Sequence, residues 1–188
     1  MFSAARSAMM HKNNISLRAP EPKDAGIIYR WENDSRIWHL SNTVTPYSLY
    51  QIEQFILNTA HDIYAIRQQR FMIDLNENNR TTAIGSIDLY DFDPVNLRAG
   101  IGILIDEPFR KMNFASTALE LLTEYCFDVL KLHQVYCSIA DDNDASINLF
   151  EKSGFVLCGK RREWIMINGG WHDEFFYQKL NNQQNKKE

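Results

Sequence analysis

The sequence predicts a mixed α/β domain of the α+β kind, with a mostly antiparallel sheet that contains one parallel strand pair. Three features predict it. Residues 71–75, 82–90 and 98–105 are apolar, strand-like runs parted only by short polar turns at 76–79 and 91–94, the pattern of an antiparallel meander. From Ala115 the period changes. Ala115, Leu119, Leu122, Cys126 and Val129 recur three or four apart, with Ser116, Glu120, Thr123, Glu124 and Asp128 between them, which makes an amphipathic helix of about four and a half turns. The next strand, 134–139, is therefore reached by a helical crossover and lies parallel to 98–105.

The other elements follow in chain order. Residues 15–18 form a short strand that Pro20 and Pro22 stop. Pro22 or Asp24 opens a helix that carries Ile27, Ile28 and Trp31 and ends near 33–35. A second helix, 48–58, has Leu49, Ile52, Phe55 and Ile56 at helical spacing. After the crossover, 141–144 is rich in N-cap residues, and a short helix at 145–152 closes on Gly154 in the left-handed conformation. Residues 155–157 start a strand, and Asn168-Gly169-Gly170 joins 164–167 to 174–177 as a hairpin. Residues 1–14 are expected to be a disordered tail, 15–180 a single domain and 181–188 a polar tail.

Composition narrows the function classes. A net charge of −4 gives no global field for nucleic acid or an anionic membrane, and no stretch approaches 18 apolar residues. Cys126, Cys137 and Cys158 are odd in number and widely spaced among apolar neighbours. They read as buried reduced thiols of a cytoplasmic protein rather than a disulfide frame or a metal site, and no metal is expected.

One stretch carries chemistry. Arg110-Lys111-Met112-Asn113-Phe114-Ala115 is a basic loop that enters a helix N-terminus, where free N–H groups and the positive end of the dipole suit a phosphate. With Asp106 and Phe109 it reads Asp-x-x-Phe-Arg-x-x-Asn-Phe-Ala. This resembles the acetyl-CoA-binding segment of the GNAT N-acetyltransferases, [RQ]-x-x-Gly-x-[Gly/Ala], with Asn113 in place of the usual Gly. Asn is among the residues that best tolerate positive φ. A second stretch, Asn143-x-x-Ser146-x-x-Leu149-Phe150-Glu151-Lys152-Ser153-Gly154-Phe155, resembles the family's Asn-x-x-[AS]-x-x-[LI]-[YF]-[EK]-[KR]-x-Gly-Phe. The likeness runs from about Ile15 to Leu180. It is strongest to the spermidine and the ribosomal-protein N-terminal acetyltransferase subfamilies.

The resemblance implies a GNAT fold, with helices on both faces of the sheet and the parallel strands splayed to hold pantetheine. Acetyl-CoA would be the cosubstrate. Backbone groups of Ile103, Leu104 and Ile105 would pair with the pantetheine amides. The N–H groups from Lys111 through Met112, Asn113, Phe114 and Ala115 to Ser116 would hold the diphosphate, with added charge from Arg110 and Lys111. Asn143, Ser146 and Phe150 would complete the cosubstrate site, and Asn143 can cap its helix as well. The Tyr that often protonates the leaving thiolate is Phe150 here, so Tyr136 or water would have to substitute. Asp88, Asp91 and Glu32 are candidate bases, Asp88 foremost. Trp31, Glu32, Trp38, Tyr90, Trp164, Trp171 and His172 are candidate pocket residues. The acceptor would be a small amine or polyamine. A ribosomal-protein N-terminus and a catalytically silent CoA-binding module are the alternatives. The 41–46 segment holds no acid, which counts against a spermidine enzyme on similarity alone. Edge strands of this fold often pair, so a homo-oligomer is open.

Overall fold

The computed structural model describes residues 10–38, 44–58 and 62–182. Among them run β1 (His11–Lys12), β2 (Ile15–Arg18), α1 (Ala25–Glu32), α2 (Leu49–Asn58), α3 (Ile63–Ile66), β3 (Gln69–Glu77), β4 (Arg80–Asp93), β5 (Arg98–Ile105), α4 (Phe114–Asp128), β6 (Gln134–Ala140), α5 (Asp144–Lys152), β7 (Val156–Ile167) and β8 (Gly170–Leu180). The strands make one eight-stranded sheet in the order β1-β2-β3-β4-β5-β6-β8-β7. Every pairing is antiparallel except β5 with β6, the pair joined by the α4 crossover.

Period-2 alternation sends side chains to two cores. Leu17, Phe71, Ile73, Ile87, Leu89, Ala99, Ile101, Val135, Cys137 and Ile139 face α4 and α5 and bury Leu119, Leu122, Cys126 and Phe150. Met72, on the opposite face of β3, packs with Ile28 and Trp31 of α1 and Ile52 and Ile56 of α2. The second core covers only part of its face. The remainder, over β4, β5, β6 and β8, is left for the cleft described below.

Three expectations need correction. Residues 10–14 are not tail, because His11–Lys12 pairs with β2. Asn181 is buried, and its amide donates to the Leu132 carbonyl at 3.2 Å, so the polar tail does not begin there. Between α2 and β3 the chain also adds a helical turn, α3, whose four residues are too few to show a period. Cys158 is exposed, whereas Cys126 and Cys137 are buried and burial pushes both thiols up. Ser41, Asn42 and Thr43 of the acid-free segment lie outside the described residues, as do 1–9 and 183–188. No helix among the described residues is long and apolar enough to cross a membrane.

Arg18 locks β2 to the start of α1. Its guanidinium donates to Asp24 and Asp74, two buried carboxylates, at 2.6 Å each. Burial acts to raise the Asp24 carboxyl, but the bonds from Arg18 and from the Glu21 N–H outweigh it and hold the group below its ordinary value. A carboxyl depressed in the folded state adds stability above its unfolded pKa, about 3.9, and loses it as pH falls through the folded value. Denaturant midpoints should therefore hold from pH 7 to about pH 5 and drop below about pH 4. Asp24→Asn should flatten that drop, and an identical acid slope in the variant would exclude Asp24 as its source.

Candidate active site

β5 and β6 bond over only three rungs, Arg98↔Gln134, Ala99↔Val135 and Gly100↔Tyr136, although the strands continue to Ile105 and Ala140. Past Gly100 and Tyr136 they diverge, and residues 101–105 and 137–140 line opposite sides of a cleft of about 1670 Å³. Typical small-molecule pockets measure ~300–1,000 Å³, so this one has room for a long ligand and a second molecule.

A turn with free backbone N–H groups closes one end. Asp106 accepts from the Glu107 N–H and starts a 3-10 turn, Glu107–Phe109. Lys111 and Asn113 then take positive φ, 62° and 65°. Such alternation turns successive N–H groups into one concavity. Asn113 makes no side-chain cap bond to α4, and the helix begins with the Thr117 N–H donating to the Asn113 carbonyl at 3.3 Å. The N–H groups of Phe114, Ala115 and Ser116 thus have no acceptor inside the helix. Arg110 Nε donates back to the Ile105 carbonyl at 2.9 Å, tying the loop to the strand end. Across the cleft, Asn143 caps α5 by accepting from the Ser146 N–H at 3.1 Å, a bond that does not use its amide nitrogen.

The register assembles the sheet face beside α1 and α2 in rows. One row is Arg70↔Asp88↔Gly102, the next Tyr90↔Gly100↔Tyr136↔Gln178, then Ser138↔Phe176, then Ala140↔Glu174↔Arg161. Gly100 and Gly102 leave β5 without side chains here; a Cβ at Gly100 would lie 2.2 Å from the Tyr90 ring. Arg70 grips Asp88 with two bonds, Nε–Oδ1 at 2.7 Å and Nη2–Oδ2 at 2.9 Å, and gives Nη1 to Glu32. Its guanidinium lies 5.2 Å from the Phe55 ring. Arg161 ion-pairs with buried Glu174 and lies over the rings of Trp164 and Phe176.

Residues 14–156 match the acetyltransferase (GNAT) domain model. The chain belongs to the GNAT acetyltransferase family. It is an N-acetyltransferase, and acetyl-CoA is its acetyl donor. The spermidine N(1)-acetyltransferase of Vibrio cholerae is 27% identical over 161 residues, 86% of this chain and 90% of that one. The corresponding Escherichia coli protein is 24% identical over 168 residues, 88% of this chain and 85% of that one. A crystal structure of the Vibrio cholerae enzyme with CoA and spermine superposes with a TM-score of 0.82 at 26% identity, covering 91% of this chain and 98% of that one.

On this acetyltransferase, Ile103, Leu104, Ile105, Arg110, Lys111, Asn113, Phe114, Ala115, Ser116, Asn143, Ser146 and Phe150 line the cleft. Met112 does not, and its side chain is exposed. Trp31, Glu32, Tyr90 and Trp164 also line it, whereas Trp38, Trp171 and His172 do not. Trp38 donates its indole N–H to the Glu32 carbonyl, and His172 sits 3.1 Å from Asp141 on the β6–α5 turn. Asp88 lines the cleft with both oxygens taken by Arg70. Arg70 and Glu174 escaped sequence reading, and Arg161 stands there only as part of a basic run, Lys160-Arg161-Arg162, suited to a phosphate. Each looks like an ordinary strand charge until register sets it opposite its partner.

Proposed function

We propose that this acetyltransferase transfers acetyl to a small primary amine by direct attack, with the cosubstrate in the β5–β6 gap and the amine arriving over the glycine strip of β5. The supporting observation is the combination of splayed strands with an uncapped, left-handed anion turn at one end. Acetyl-CoA supplies a thioester already reactive toward a neutral amine. The protein must take a proton, since an alkylammonium has a pKa near 10.4.

Asp91 is the better base. A bulge between Tyr90 and Asp93 puts Asp91 at φ 48° and breaks alternation, so Tyr90 and Asp91 both turn from the core while Leu89 and Phe92 stay in it. Asp91 lines the cleft near Tyr136 at the apex of the splay, where its charge acts on that hydroxyl. Burial, then the Asp91 charge, push the Tyr136 hydroxyl up, so it keeps its proton at neutral pH and stands ready for the leaving thiolate. A thiol pKa of about 8.5 makes that thiolate a tolerable leaving group unaided.

Calorimetry should detect CoA, and free thiol should appear when acetyl-CoA and an amine are mixed with the protein. No heat at millimolar CoA would sink the cosubstrate site. Peptides with free N-termini belong in the same panel, and their exclusive use would replace the small-amine reading. Asn113→Gly should keep or tighten CoA binding, while Asn113→Val should weaken it, because a β-branched residue is an outlier at φ 65°. Equal affinities would show that the turn's handedness does not matter to CoA.

Phe150 is 3% exposed and meets the Phe155 ring edge-on at 4.9 Å. Phe150→Tyr should leave CoA affinity unchanged and leave kcat unchanged or raise it, by up to about tenfold if thiolate protonation limits the rate. A large fall in kcat in a folded variant would mean the wall tolerates no hydroxyl there.

A further inference from the structure

We infer that the acceptor is a mono-cationic amine, and that Arg70 and Arg161 are internal cations occupying the carboxylates a polyamine would need. The inference rests on the small-amine reading above and narrows it. Binding a flexible di- or trication calls for a carboxylate or an aromatic face for each ammonium it desolvates. The cleft is lined by four carboxylates, Glu32, Asp88, Asp91 and Glu174. Glu32 and Asp88 share Arg70, and Glu174 holds Arg161. Among the described residues, Asp91 is the cleft carboxylate without an arginine or lysine partner, which leaves one negative site for one ammonium.

Arg161 also occupies the aromatic surface. Its guanidinium lies 5.2 Å from the Trp164 centroid and 5.8 Å from that of Phe176, the position a second alkylammonium would take for cation–π attraction. Phe176 continues into Tyr136 and Tyr90 at 5.3 and 5.9 Å between centroids. This aromatic wall is suited to an apolar stem behind a single charged head. Arg161 is the removable piece of the arrangement: its side chain is 45% exposed, against 17% for Arg70, so replacing it disturbs the core less.

The test measures binding of n-butylamine, 1,4-diaminobutane and spermidine to the CoA-loaded protein by calorimetry, alongside turnover. The parent protein should bind and acetylate the monoamine with at least about tenfold preference over spermidine, the size of one charged hydrogen bond lost. Arg161→Gln frees Glu174 and should raise the spermidine-to-monoamine ratio about tenfold. Adding Glu174→Gln should cancel that gain. A parent preference for spermidine, or a ratio unmoved in a folded Arg161→Gln that still binds CoA, overturns the inference. Should Arg161→Gln fail to fold, Arg161→Lys retains the charge but not the planar stacking and should raise the ratio by a smaller step; no step overturns the inference. Thiol release with none of the amines would overturn the small-amine reading instead, and the binding ratios would still decide this one.

Discussion

Arg70→Met is expected to destabilise the protein by about 2–4 kcal/mol, short of the ~3–5 kcal/mol of a fully buried pair because this cluster is only partly buried. Arg70 joins β3 to Asp88 on β4 and to Glu32 at the end of α1, and packs on Phe55 of α2. Its side chain is 17% exposed, with Glu32 at 21% and Asp88 at 29%, so water reaches the carboxylates only in part once the cation is gone. Methionine fills much of the volume but cannot neutralise them. Urea unfolding at pH 7 measures the loss. Repeating it in Glu32→Gln/Asp88→Asn, where no charge is stranded, should recover most of it. A cost below about 1 kcal/mol would show the cluster behaving as an exposed surface pair.

Gly85→Ala is expected to cost about 3 kcal/mol and to weaken CoA binding at the same time. Gly85 faces Ile105 across β4 and β5. An added Cβ would lie 2.2 Å from the Leu104 carbonyl oxygen and 3.1 Å from the Ile105 Cα, which are backbone atoms with no rotamer to escape into. The strands must part at the end of β5, whose Ile105 carbonyl also anchors Arg110 of the anion turn. Gly26→Ala is the control, since nothing lies within 4 Å of its added Cβ. A lower melting temperature with unchanged CoA affinity would separate the strand end from the cosubstrate site.

Local chemistry by itself determined much of this protein. The change of period at Ala115, the Asn-Gly-Gly hairpin and the cap residues before α5 are local signals, and the elements form where they point. The left-handed turn at Asn113 was legible from the resemblance, which has Gly at that position, and Asn is among the residues that best tolerate positive φ; the same conformation at Lys111 was not. The parallel pairing of β5 with β6 followed from the crossover.

Tertiary structure decided which charges meet. Arg70 and Asp88 stand 18 residues apart, and their contact depends on the β3–β4 register, which shifts at a bulge between Ile73 and Asp74. Bulges likewise turn Asp91 out of the core and interrupt the β7–β8 ladder next to Arg161. The bulges between Ile73 and Asp74 and between Tyr90 and Asp93 each insert one residue into a period of two and so reverse which face the following side chains take, whereas the break between Arg161 and Ile165 sets four steps of β7 against two of β8. Apolar periodicity specifies which face of a strand is buried. The partner of a charge on the other face is set by register, and register by the summed packing of strands distant in sequence.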